Sequence, residues 1–199
     1  VAARSVILAS ASPARLRLLR DAGIDPQIVI SGVDESVVPT DQPDRMVTEL
    51  ATLKAKAVAG GVSTPGPVVV GCDSTLVFGG EALGKPGTAA AATERWRQMR
   101  GRTGELLTGH CVIDTVTGRS AADVGRTVVH FGEPTDAEIA AYVGSGEPLD
   151  VAGAFTLDGR AAPFIDRIEG DPSNVIGMSL PVLRRLLRRL DIEIVDLWR

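Results

Sequence analysis

Residues 67–74 read Pro-Val-Val-Val-Gly-Cys-Asp-Ser, and they decide the fold. Side chains along a strand point alternately to opposite faces, so three consecutive valines leave neither face polar. A strand apolar on both faces needs a covering layer on each, which points to a sheet sandwiched by helices. The apolar run stops at Gly71-Cys72-Asp73, so the aspartate is expected directly after the strand. Open α/β sheets bind ligands at the carboxyl ends of their strands. A carboxylate there can hold a metal ion or take a proton from water, and a turn-forming aspartate is the plain alternative.

Strand and helix signals alternate on both sides of this run. Residues 5–9 read as a buried strand, followed by Ser12-Pro13 as an N-cap with proline at the first helical position. Leu16, Leu19 and Ala22 mark one helical face, and Gly23 ends that helix. Residues 27–30 form a short strand. A helix over 43–59 repeats Met46, Leu50, Leu53 and Ala57 at helical spacing. Residues 75–78 and 81–83 flank Gly79-Gly80 as a hairpin. A helix over 88–99 presents Ala89, Ala92, Trp96 and Met99 inward, and long strands follow, with a turn near Thr117-Gly118. Thr135 and Glu138 form a capping box for a helix ending at Gly144. Strand-like pieces recur at 151–155 and 164–168. Ser179 caps the last helix, whose stripe is Leu183, Leu186, Leu187 and Leu190; Arg184, Arg185, Arg188 and Arg189 fall mostly off it, on a solvated face. The order predicts an α/β fold with an elongated mixed sheet flanked by helices, in one domain over 1–199.

Aromatic residues make up only 4% of the chain, so the core must be aliphatic. A net charge of -4 argues against a surface that coats nucleic acid. Cys72 and Cys111 are too few for a disulfide framework and are not a C-x-x-C pair. The first ten residues lack a signal-peptide pattern, and no segment has the roughly eighteen apolar residues of a membrane span. The expectation is a cytoplasmic protein with no nucleic-acid and no membrane partner.

Five places could carry chemistry. The first is the strand-to-helix junction at Ser10, Ser12 and Arg15. A helix N-terminus offers unpaired N–H groups to phosphate, the serines add hydroxyls, and the arginine adds a two-pronged charge. The second is Asp73. The third is Asp34-Glu35, because phosphoryl chemistry with a divalent metal draws carboxylates from more than one segment. The fourth is the lysine pair. Of 21 basic residues only Lys54, Lys56 and Lys85 are lysines, all in one stretch around Asp73. Lysine persisting in so arginine-rich a chain points to a need for a compact, flexible ammonium. Lys54 lies one turn beyond Leu50, at the edge of the buried face, whereas Lys56 is about 200° around and faces solvent. The fifth is Gly79 to Lys85, which spells G-x-x-x-x-G-K. Pro86 stands where a P-loop needs Ser or Thr, and the glycine pair reads as a hairpin, so a P-loop is rejected while Lys85 remains a phosphate ligand of another kind. His110 and His130 have no partner at metal spacing and are read as structural.

In order along nearly the whole chain, LASASPARLRLL, the Asp34-Glu35 pair, LATLKAKAV, VVVGCDS, LGKP, RGRTGELLTG, EPLDVAGAF and GDPSNVIGMSLP resemble the Maf family of nucleotide pyrophosphatases. The resemblance implies an elongated, two-lobed cleft like that of inosine triphosphatases, often in a homodimer. It implies hydrolysis of nucleoside triphosphates to monophosphate and pyrophosphate with a divalent metal, Mg2+ or Mn2+. By motif position Asp73 is the proton acceptor, Glu35 and Asp73 are metal ligands, and Arg15, Lys54 and Lys85 clamp the triphosphate. Ala14, Ser74 and Asp158 stand where relatives acting on dTTP and UTP carry Arg, Thr and Gln. Asp158 could accept hydrogen bonds from a guanine edge, which implies a guanine-tolerant site. A regulatory protein of cell division that binds nucleotide without turnover is the alternative.

Overall fold

The computed structural model describes residues 4–39 and 41–199. Its strands are β1 (Val6–Leu8), β2 (Gln27–Ile28), β3 (Val68–Phe78), β4 (Glu81–Leu83), β5 (Thr103–Asp114), β6 (Ser120–Phe131) and β7 (Ile165–Gly170). Its helices are α1 (Pro13–Asp21), α2 (Pro43–Gly60), α3 (Ala89–Met99), α4 (Asp136–Gly144), α5 (Pro172–Ile176) and α6 (Leu180–Arg189). All seven strands join one mixed sheet in the order β2-β1-β3-β5-β6-β7, with β4 beside β3. The pairs β2-β1 and β1-β3 are parallel; the rest are antiparallel. Among the described residues no helix is long and apolar enough to cross a membrane.

The valine run is buried on both faces as its sequence requires. Val68 and Val70 pack with Val6, Leu8 and Val112 against Leu19 of α1 and Leu183, Leu186 and Leu187 of α6. Val69, Ile7, Cys111 and Ile113 face the other way, onto Ala51, Ala55 and Val58 of α2. At the far end of the sheet, Trp96 packs edge-on against Phe131, Tyr142 and Phe164 in a separate cluster, so the few aromatics gather there and only the rest of the core is aliphatic as expected.

Two glycines set how closely α2 lies on the sheet. A Cβ at Gly71 would overlap the Ala51 carbonyl, and one at Gly109 the Val47 carbonyl. The helix backbone therefore rests directly on β3 and β5, which leaves no room for a side chain beneath it.

The pairing of β3 leaves a notch. On one side β5 accompanies β3 from Val68 to Val77. On the other, β1 covers Val68 to Val70 and β4 covers Leu76 to Phe78. Residues 71–75 have neither neighbour on that side. The notch opens where β1 ends, and the chain leaving β1 and β4 forms its two rims.

Several expectations are corrected. Asp73 does not follow the strand; it sits inside an 11-residue β3 that runs on into the expected hairpin arm. Residues 151–155 are not a strand but carry a 3-10 turn, Ala152–Ala154, close behind another at Glu147–Asp150, because Gly153 (φ 72) and Ala154 (φ 62) are left-handed. Ala57 is exposed, so the buried stripe of α2 lies a step around from that expected; in α3 Ala92, Trp96 and Met99 are buried as expected and only Ala89, at its start, is exposed. The stripe of α2 runs through Val47, Leu50, Ala51, Lys54, Ala55 and Val58, which puts Lys54 inside the buried face.

Candidate active site in the sheet notch

Asp73 and Ser74 are consecutive in β3, so their side chains leave on opposite faces. Asp73 emerges on the α2 side and meets Lys54, whose Nζ lies 2.6 Å from Oδ1. The same Nζ lies 2.6 Å from Oε1 of Glu35. Glu35 opens a short 3-10 turn, Glu35–Val37, capped by Asp34, which accepts from the Ser36 N–H. Asp34 is thus spent on the turn, and Glu35 alone reaches the site. Lys54 is 9% exposed. Burial raises the Asp73 carboxyl above its ordinary value; the Lys54 ammonium and then Arg15 oppose the rise without cancelling it.

Ser74 emerges on the α1 side. Its hydroxyl is 2.9 Å from Thr108 Oγ1, which donates at 3.1 Å to the carbonyl of Asn174 in α5. Since Thr108 has one proton, Ser74 is the donor of the pair. Arg15 Nη2 donates to Ser74 Oγ and Nη1 to Ser10 Oγ, both at 3.0 Å, while Nε donates to the Gly177 carbonyl at 2.7 Å. A guanidinium has five N–H donors, so two remain for an anion after these three are used. Ser12 caps α1 by accepting from the Arg15 N–H, and Ser10 Oγ accepts from the Ser12 N–H. The first turn of α1, Ser10 and Arg15 together form a cradle for anionic oxygens.

Behind the cradle lies a dry polar layer. His110 is fully buried and its Nε2 accepts from the Ser179 N–H at 2.8 Å. Burial, assisted by the nearby Arg15 charge, holds its pKa down to about 4, so it is neutral near pH 7. Asn174 is also fully buried; its Nδ2 donates to the Leu106 carbonyl and to Thr127 Oγ1. It fits because Gly125 on β6 has no side chain to collide with it.

Family comparison completes this picture. The family model for Maf, described as Maf-like protein, matches residues 5–190. The chain belongs to the Maf family. A Streptomyces coelicolor protein called "Nucleoside triphosphate pyrophosphatase" is 59% identical over 98% of this chain and 95% of its own length. A Mycobacterium sp. (strain JLS) protein of the same description is 52% identical over 97% of each. The Staphylococcus aureus Ham1 protein is similar in fold alone, with a TM-score of 0.52 and 12% identity over 94% of this chain and all of that one.

Of the residues expected from sequence, this Maf chain brings Ser10, Ser12, Arg15, Glu35, Lys54, Asp73 and Ser74 to the notch. Lys56 is exposed and apart from them. Lys85 lies just past β4, on the far rim, exposed and without a hydrogen bond or ion pair to the cluster among the described residues. Asp158 pairs with Arg17 of α1 through Oδ2 and keeps Oδ1 to accept. The sequence reading missed Thr108, Asn174, Gly177 and Ser179 as supports of the cradle. The only signal for them was the GDPSNVIGMSLP segment, which has no pattern of chemistry in itself. His110 was read as structural, and its contact with Ser179 agrees with that.

Proposed function

We propose that this chain hydrolyses nucleoside triphosphates to nucleoside monophosphate and pyrophosphate, using a divalent cation, Mg2+ or Mn2+. One observation carries the reading: two carboxylates and an anion cradle open onto the same notch from opposite faces of β3. The family relatives' shared description as nucleoside triphosphate pyrophosphatases supports it.

Asp73 and Glu35 would hold the cation. Both already converge on one positive centre, the Lys54 ammonium, and carboxylate oxygens are the ligands hard divalent ions take. When bound, the cation supplies positive charge at the phosphate oxygens. Arg15, with its remaining N–H groups, and Lys85 from the far rim grip the triphosphate tail, joined by the Ser10 and Ser12 hydroxyls. Asp73 takes the proton of the attacking water. The water oxygen bonds to the α-phosphorus as the bond from that phosphorus to the bridging oxygen breaks. Pyrophosphate leaves with the electron pair, and the cradle stabilises the charge it gains. Before substrate arrives, Lys54 keeps Asp73 oriented and ionised.

The reading includes a cytoplasmic setting, where the nucleotide pool lies, and a homodimer of one-domain chains, as the family resemblance implies. Asp158, paired with Arg17 through Oδ2 alone, keeps acceptor capacity for a guanine edge, so a guanine-tolerant site is part of the reading. The test is pyrophosphate release across common and modified nucleotides with Mg2+ and Mn2+. Release of pyrophosphate with an equal amount of monophosphate is expected. Nucleotide binding without release under every condition would overturn the reading in favour of a regulatory binder.

A further inference from the structure

We propose that Lys54 occupies the cation position of the empty site, so that a divalent metal enters only together with a polyphosphate. This rests on the reading of the site above but concerns the order of binding, not the chemistry.

The ammonium sits 2.6 Å from each of the two carboxylates. Those carboxylates are the metal-binding oxygens of the notch, and their facing lone pairs are already engaged by a cation. Nothing else on the chain makes up for them: among the described residues no group of three His, Cys, Asp or Glu could hold a metal ion. A free metal would therefore have to displace a buried ammonium in exchange for two protein ligands. Magnesium-type ions commonly complete their shell with substrate phosphate oxygens, so the polyphosphate brings the ligands the protein lacks.

Lys54 cannot simply retreat to solvent. It projects from the buried stripe of α2, and the α2 backbone is pressed onto Gly71 and Gly109. An ammonium confined there needs an anion wherever it turns. In the empty site Asp73 and Glu35 serve; with a polyphosphate in the notch, its oxygens serve instead, and the carboxylates become free for the metal. A lysine suits this exchange. Its charge is compact and its stem flexible, whereas an arginine fork would be fixed to the two carboxylates. That fits a lysine standing here in a chain where only Lys54, Lys56 and Lys85 of 21 basic residues are lysines.

The test is equilibrium dialysis of Mn2+ against the full chain, alone and with methylenediphosphonate, a pyrophosphate analogue with an uncleavable bridge. Wild-type protein is expected to bind Mn2+ about tenfold or more tightly when the analogue is present. Lys54→Met, checked by circular dichroism, is expected to bind Mn2+ alone about tenfold or more tightly than wild type alone. Wild-type binding of Mn2+ that the analogue does not strengthen would overturn the proposal, and that arm needs no variant. So would a folded Lys54→Met chain that binds Mn2+ no better than wild type. No arm depends on turnover. A chain that binds in this order yet releases no pyrophosphate from nucleotides would defeat the hydrolase reading alone; a working hydrolase that binds Mn2+ tightly by itself would defeat the order alone.

Discussion

On the α2 side of β3, two carboxylates close around one ammonium; on the α1 and α5 side, a guanidinium is held by two hydroxyls and a carbonyl above a neutral imidazole. The first side is built to hold a cation and the second an anion. A one-residue step along one strand, Asp73 to Ser74, passes from one to the other. The two sides are also held differently. Lys54 is placed by backbone contact, α2 on two glycines, whereas Arg15 is placed by a relay of side-chain and carbonyl hydrogen bonds. Rigid placement suits a proton acceptor whose reach must be fixed, and a hydrogen-bonded cradle suits a long flexible tail.

The largest effect should come from separating the two neighbours. Asp73→Asn should lower kcat by about a hundredfold to ten-thousandfold while nucleotide binding persists, measured by pyrophosphate release and by calorimetry. Equal losses of binding and turnover would mean that the cation side also grips substrate in the ground state.

Next in size is the backbone contact. Gly109→Ala should cost about 3 kcal/mol or more in denaturant unfolding, since the new methyl overlaps the Val47 carbonyl and only movement of α2 relieves it. A near-neutral result would show that α2 can lift off the sheet and that Lys54 is not rigidly held.

The imidazole under the cradle gives a pH signature. His110 is held down to about 4 against an ordinary value of 6.5, so the unfolded chain binds its proton first as pH falls. Stability present above pH 6.5 should therefore be lost progressively towards pH 4, by about 3 kcal/mol. His110→Gln should remove that share of the slope in unfolding curves recorded across this window. An unchanged slope would mean that water reaches the layer behind Arg15.

The smallest effect is expected at Ser74→Ala. It removes one of the three bonds that orient Arg15, so KM should rise about threefold to tenfold with kcat little changed. A fall in kcat comparable to that of Asp73→Asn would break the division of labour between the two faces.

Much of the fold was legible because its signals are local. Ser12-Pro13, Thr135 with Glu138, and Ser179 each announce a helix start through their own capping bonds, and each cap is present. The valine run and the Gly79-Gly80 turn likewise carry their structure in their own residues. The errors arise where a distant partner decides. Asp73 reads as the end of a strand because an isolated carboxylate is costly inside one; Lys54, 19 residues away, makes it tolerable. Lys54 reads as the edge of the buried face of α2 for the same reason. Val151 to Phe155 is a short apolar run like a buried strand, but the left-handed Gly153 and Ala154 turn it. In the site, the charged and hydroxyl residues were visible as chemistry, while Thr108, Asn174 and Gly177 act only through what they hold.

The notch in β3 also answers a problem that any unpaired strand edge creates. Free N–H and C=O groups in a row invite another chain to add a strand, which is how sheets aggregate. Here residues 71–75 form a bare stretch bounded at both ends by β1 and β4, too short for an incoming strand to lie along. A compact ligand can still enter. The fold thereby keeps a reactive backbone edge open to small molecules while denying it to self-association.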